Sequence, residues 1–461
     1  MDTPIRFRVS LAGIMLLALC LTFISLAPLT AEEGFTDIFG SAEEVAALAA
    51  PLPAIVLSGT IGASYTIEPD TSDLLQSPVA ALPFLNLNLQ WNAGQTEAKS
   101  LLDLSPRKME APLTWEDFLR ELSVRQYFSW GHLDAGLMVR EWGKGEGVHV
   151  VDPLNSLDQR YGIIPDLNSM KIPTMMVSVN LQHDESALEL VYLPFFQPMK
   201  LALSGEWAVA DPQFTALITG ATTSENTYTL SHGQFAARGR TTLGPADIGL
   251  VYYYGFQSQP GYEITMGLLS LDPLVYGPTS IDAVLYTKSQ LFGLEGALVL
   301  GPFTFLWEGG FWLSEDLEGT DATRYNSKLA YLGGIEFMLP GTSVFTSVQL
   351  SGHYVLGFEG LQFPDVDVLQ AYDGKAYANM LIAAVELPLL RERLNVRLAG
   401  MYQLESRGYA LLPAITWALN DNLELEVSSR IYGAAGTSAP TSIYQRWDEN
   451  DVLEFRLTHV F

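Results

Sequence analysis

Cysteine is all but missing: the 461 residues hold one, Cys20, inside an apolar run near the N-terminus. Disulfide scaffolds are excluded, and thiolate chemistry goes too if that run is removed. Basic residues are scarce, 25 Lys and Arg against 52 Asp and Glu, for a net charge of −27. Nucleic acid demands a basic face, so no nucleic-acid partner is expected. Long apolar runs are scarce as well. Beyond the stretch from Val9 to Leu26, no run of about 18 residues recurs. A chain that crosses a membrane without such runs must cross with strands, and only a closed barrel satisfies strand backbones in lipid. Charged residues are only 17% and aromatics reach 11%, which excludes disorder.

The N-terminus reads as a signal peptide over residues 1–31. Arg6 and Arg8 precede the apolar run, and Pro28-Leu29-Thr30-Ala31 offers cleavage after Ala31. The alternative is a permanent anchor, because the run nears the length needed to span. Leu17-Ala18-Leu19-Cys20 is a poor lipoprotein site, since Leu19 stands where a small residue belongs. Residues 32–53 form a separate short periplasmic segment. Ser41-Ala42-Glu43-Glu44 is a capping box before Val45-Ala46-Ala47-Leu48, which predicts a short helix.

What the chain has from residue 54 onward is alternation with a period of two. Ile55, Leu57, Gly59, Ile61, Ala63, Tyr65 and Ile67 oppose Ser58, Thr60, Ser64, Thr66 and Glu68. Leu85, Leu87, Leu89 and Trp91 oppose Asn86, Asn88, Gln90 and Asn92. Such runs exceed ordinary soluble strands and fit tilted spanning strands. The pattern continues to Leu453, Phe455, Leu457, His459 and Phe461. Turn-rich short connections, such as Gly244-Pro245-Ala246 and Gly301-Pro302, alternate with long loops at about 68–82, 105–118, 142–172, 195–232, 258–281, 315–327, 357–375 and 434–449.

The expected fold is all-β. Residues 54–461 form a single closed antiparallel transmembrane β-barrel of about 18 strands, with 16 as the alternative. The third strand is weakened by Leu101, Leu102 and Leu104, and the tenth could divide in two. Trp91, Trp130, Phe303, Phe337, Trp417 and Phe461 fall toward the short-turn end, and Tyr65, Tyr254, Phe256, Tyr354 and Tyr409 toward the long-loop end, where headgroup girdles belong.

The closing run Asp451-Val452-Leu453-Glu454-Phe455-Arg456-Leu457-Thr458-His459-Val460-Phe461 resembles the last strand of bacterial outer-membrane barrels. That likeness implies recognition by the barrel-assembly machinery through Phe461, although His459 departs from the usual apolar choice. Trp142-Gly143-Lys144-Gly145-Glu146-Gly147, followed by Val151-Asp152-Pro153-Leu154-Asn155-Ser156-Leu157-Asp158, is similar to a motif of uncharacterised porin-like outer-membrane families, with Ser156 in place of a proline. Leu193-Pro194-Phe195-Phe196-Gln197-Pro198 and the stretch from Arg238 to Gly255 share that likeness. It implies a barrel in the outer membrane and no settled substrate.

No strong catalytic motif is present: there is no P-loop, HExxH or Gly-x-Ser-x-Gly. His132, His149, His183, His232, His353 and His459 are not at metal-ligand spacing. No cofactor, metal site or enzyme activity is expected. Gly143, Gly145 and Gly147 admit two readings, a phosphate cradle or a loop anchored by Asp152 and Asn155; no following helix supports the cradle. Parity turns Arg125, Arg140, Arg238, Arg240, Arg397, Arg430 and Arg456 inward, with Glu295, Glu308, Glu336, Glu424, Glu426 and Glu454. A mid-depth charge facing lipid costs about 2–4 kcal/mol. Loop 195–232 is the candidate to fold inward and narrow the lumen, with Trp207 and Phe214 against the inner wall; packing among outer loops is the alternative. Acidic loops, with Glu315, Asp316, Glu318 and Asp321 in one and Glu359, Asp365, Asp367 and Asp373 in another, predict a cation-attracting vestibule. These readings point to a channel for passive diffusion of small hydrophilic solutes. The competing classes are a non-transport surface protein, such as an adhesin, and a transporter of lipid or hydrophobic compounds.

Overall fold

The computed structural model describes residues 54–67, 79–105, 117–163, 167–271, 273–436 and 442–461. The expected signal peptide 1–31 and the segment 32–53 lie outside the described residues, as does much of loops 68–82 and 105–118.

Eighteen strands make the wall: β1 (Ala54–Ile67), β2 (Val79–Ala93), β3 (Thr96–Leu104), β4 (Leu119–Phe128), β5 (Gly131–Met138), β6 (Thr174–His183), β7 (Ser186–Leu193), β8 (Gln234–Leu243), β9 (Ala246–Leu271), β10 (Leu274–Leu300), β11 (Phe303–Ser314), β12 (Lys328–Met338), β13 (Phe345–Val355), β14 (Tyr377–Leu389), β15 (Leu394–Gln403), β16 (Gly408–Ala418), β17 (Leu423–Ala434) and β18 (Val452–Val460). Each pairs with its sequence neighbours in antiparallel fashion. The ring closes where β1 meets β18, with Thr60 opposite Val460 and Ile67 opposite Leu453. Closure leaves no unpaired edge, which lipid requires. A two-residue segment, Thr223 and Ser224, adds in parallel to Ala283 and Val284 of β10 outside this ring.

The two faces separate as the alternation predicts. Ile55, Leu57, Phe292, Leu350, Leu398, Trp417 and Phe455 are exposed, and Leu250 is 65% exposed. The opposite face is polar: Asn86 donates to Thr60 Oγ1 at 3.1 Å and Gln90 to Glu97 Oε1 at 2.7 Å. Exposed apolar area costs roughly 25 cal/mol per Å2 in water. A continuous outer belt of this kind requires an apolar solvent. The fold is a membrane-spanning barrel.

Short turns close one end. Gly244 and Gly301 sit at φ +62° and +61°, the left-handed region that glycine enters without penalty. The weak third strand forms, with a register shift between Leu101 and Leu102 where the alternation breaks. The tenth strand is one piece, not two.

Three expectations are corrected. Residues 258–281 are mostly strand rather than loop: β9 and β10 run on as a hairpin beyond the wall, with a register shift between Phe256 and Pro260. Pro260-Gly261 marks an irregularity in a strand edge rather than its end. Phe256 is not a girdle residue, because it is buried against Phe196 and Tyr286. The fifth strand ends at Met138, so Arg140 belongs to the following loop.

Candidate functional site

The connection between β5 and β6, residues 139–173, folds into the barrel. Its apolar side chains Trp142, Val151 and Leu154 are buried with inward residues of the wall, Met176, Val191, Val251 and Leu291 among them. Val151 has no exposed surface at all. Asn155 ties both ends of the loop: its Oδ1 accepts from Arg140 N at 2.8 Å, and its Nδ2 donates to Met138 O and Ile172 O. Asp152 pairs with Lys171 at 2.5 Å, both side chains nearly buried. Burial makes such a pair strongly dependent on both partners being present.

The Gly-rich tip wraps a carboxylate of the wall. Glu308 on β11 accepts the backbone N–H of Lys144 and Gly145 on Oε1, each at 2.7 Å. Its Oε2 accepts from Val150 at 2.6 Å and Val151 at 3.2 Å. His149 Nδ1 lies 3.2 Å from the same carboxylate, and its Nε2 lies 3.1 Å from Glu141. A Cβ at Gly143 would fall 2.5 Å from Glu308 Oε1, and one at Gly145 would fall 2.3 Å from the Val148 carbonyl, so both positions need glycine. Lys144 Nζ reaches Asp247 at 3.1 Å, one residue past the start of β9 at the short-turn end, so the tip descends most of the barrel's height. Gln349 Oε1 accepts from Glu146 N at 3.0 Å. The phosphate-cradle reading of Gly143, Gly145 and Gly147 is thereby corrected: the backbone donors that would hold an anion already hold Glu308. Asn155 bonds backbone groups at both ends of the loop, and Asp152 holds the Lys171 ammonium together with the Trp142 backbone N–H.

Several of the charges that parity turns inward are held by ion pairs. Arg125 donates to Asp134 at 2.6 and 3.0 Å, and Arg140 bonds the same carboxylate. Arg238 donates to Glu295 at 2.8 and 2.6 Å. Trp142 Nε1 donates to Glu189 at 3.0 Å. Asp134 and Glu189 were not among the expected residues, although both stand on inward positions of the same period. Arg240, Arg397, Glu336 and Glu424 are spread around the inner face, with Arg397 opposite Glu386. They do not gather at one site.

Glu426, Arg430, Glu454 and Arg456 do. They line a cavity of about 450 Å3 between the inserted loop and the β1, β2, β3, β17 and β18 wall. Asp103, Asp117, Arg120 and Asp158 line it too, with Ser64, Asn86, Ser428 and Ser429. Arg160 pairs with Asp158 at 2.7 Å and Asp117 at 3.1 Å, and Arg456 pairs with Glu454 at 3.0 Å. Lys200 lines the cavity as well.

Loop 195–232 also reaches inward. Trp207 packs edge-on against Tyr432 and Trp447 at ring centroids of 5.6 and 5.4 Å, and Phe214, in α1 (Pro212–Thr219), packs against Tyr262 of the hairpin. Residues 139–163 and 167–173 supply a second inward segment, which the expectation for loop 195–232 did not include. The signal for it lay in the Gly-rich motif, whose close approaches only a packed interior explains.

No family model matches the chain, and no curated protein matches it. Among solved structures it is similar to the outer membrane channel DcaP of Acinetobacter baumannii, at 10% identity and a TM-score of 0.41, covering 89% of this chain and 97% of that one. It is similar to OccK3 (OpdO) of Pseudomonas aeruginosa at 11% identity and 0.47, covering 88% and 95%. The anion-selective porin from Comamonas acidovorans gives 10% identity and 0.39, covering 89% and 100%. At this distance none of their properties carries over to this chain.

Proposed function

We propose that this protein is an outer-membrane channel for passive diffusion of small hydrophilic solutes. The observation that carries the reading is the polar cavity left beside the inserted loop, walled by charged and hydroxylated side chains within an apolar-coated barrel. Eighteen strands enclose more space than wall side chains fill. The inserted loop fills one side of that space and leaves the other polar, which suits a solute path rather than a lipid pocket.

Export behind a signal peptide cleaved after Ala31 and delivery through the strand ending at Phe461 belong to the same proposal, as does the expectation that the barrel catalyses nothing. The test is single-channel conductance of the refolded protein in a planar bilayer. Steady, salt-proportional steps support the reading. A folded, heat-modifiable barrel that passes no current would overturn it in favour of a non-transport surface protein.

A further inference from the structure

Three cationic side chains among the described residues are buried: Lys171, Arg238 and Arg430. Lys171 has Asp152 and Arg238 has Glu295. Arg430 has no carboxylate within ion-pair distance among the described residues. It is 6% exposed, yet it lines the cavity. Among the described residues its guanidinium makes one hydrogen bond, a long one, from Nη1 to the Tyr161 carbonyl at 3.5 Å. Its Cζ lies over the Trp207 ring, 5.4 Å from the centroid. Trp207 is itself held in place by Tyr432, Trp447 and the close approach of Gly162. The guanidinium thus sits over Trp207, and its remaining donors make no hydrogen bond among the described residues. A withdrawn charge without a counter-ion is costly, and an oxyanion that takes both edge donors offsets the cost.

We propose that Arg430 is a binding site for the carboxylate of a small hydroxylated monocarboxylate, deepening the channel reading on which it rests. The rest of the lining selects the class. Glu454 and Asp158 are neutralised by Arg456 and Arg160, whereas Glu426 makes no ion pair among the described residues and disfavours multiply charged anions, so a single carboxylate is the favoured charge. Ser64, Asn86 and Ser428 face the same space and offer partners for hydroxyl groups. Arginine rather than lysine suits the site, because its planar fork matches a carboxylate with two parallel bonds.

The test is calorimetric titration of the refolded barrel in detergent with sodium gluconate, with sorbitol as the uncharged control. Gluconate is expected to bind saturably and sorbitol at least tenfold more weakly. Arg430→Met keeps the stem against Trp207 and is expected to weaken gluconate at least tenfold; Arg430→Lys, which keeps the charge and loses the fork, should fall between. Heat-modifiable mobility shows whether each variant folds, and Arg430→Lys decides the question if Arg430→Met does not. Equal binding of gluconate and sorbitol, or undiminished gluconate binding in a folded variant, would overturn the site. Tighter binding of inorganic phosphate than of gluconate would overturn the carboxylate assignment. Planar-bilayer current in potassium chloride alone is read separately: its absence removes the channel reading and leaves the titration to judge Arg430.

Discussion

Glu295 and Glu308 stand directly opposite one another on β10 and β11, both facing inward and both buried. Like charges in that position destabilise a sheet unless each is compensated separately. Arg238 compensates the first; the second is held by four backbone N–H groups of the inserted loop. Parity located Glu308, yet nothing local revealed its role, because its donors lie about 160 residues away in the chain. Hydrogen bonds to a charged acceptor contribute roughly 1.5–3 kcal/mol each. Glu308→Ala is therefore expected to ease opening of the loop by about 3 kcal/mol or more, a hundredfold or greater rise in tryptic cleavage after Lys144. Cleavage at the wild-type rate would show that the apolar packing of Trp142 and Val151 holds the loop alone. Asp367 makes a second residue-level case, outside the wall. Burial pushes its carboxyl up to about 6, Asp365 beside it adds to the rise, and the Asn326 N–H and Lys328 oppose it. A carboxyl raised above its unfolded value stabilises the fold below that value, near 4, and loses the contribution as pH rises through about 6. Amide exchange at Asn326 should slow as pH falls from 7 to 4, after correction for intrinsic rates. Asp367→Asn should abolish that dependence.

At the scale of elements, the wall was legible because lipid outside and water inside impose one period on every strand. The inserted loop was not, because a loop packed into a lumen has no repeat for its buried positions. The hairpin of β9 and β10 was misread for a different reason. Pro260, Gly261, Pro273 and Pro278 punctuate it like a loop, whereas Pro273 forms the tip turn and the chain absorbs Pro260 and Pro278 at register shifts between Phe256 and Pro260 and between Thr265 and Met266. The base of the hairpin is covered: Tyr262 and Ile281 are buried under the loop that carries α1. Its tip is not, with Leu268, Leu269, Leu274 and Tyr276 exposed. A lone two-stranded ribbon is marginal in water. Replacing residues 266–278 with a two-residue turn is expected to leave heat-modifiable mobility and conductance within about twofold of wild type, since the wall does not use the tip. A barrel that fails to fold without it would make the tip part of the assembly route rather than an ornament of the folded state.

For the molecule as a whole, two opposed electrostatic features act at different distances. The chain carries −27, and Glu315, Glu318 and Asp321 sit on the loop between β11 and β12, outside the wall. Their field enriches cations at the mouth over about a Debye length, roughly 10 Å at 0.1 M salt and 3 Å at 1 M. Deeper in, Arg430 is 6% exposed in the cavity lining, where salt screens less than at the surface. On the channel proposal, small-ion selectivity is expected at the mouth and solute discrimination in the interior. Reversal potentials under potassium chloride gradients are expected to show cation preference at 0.1 M that shrinks severalfold at 1 M. Glu315→Gln with Glu318→Gln and Asp321→Asn should reduce the low-salt preference while leaving gluconate binding at Arg430 unchanged. A preference that held constant from 0.1 to 1 M would assign selectivity to Glu426, Glu454 and the other fixed charges of the passage, because only charges shielded from bulk electrolyte keep their field at high salt.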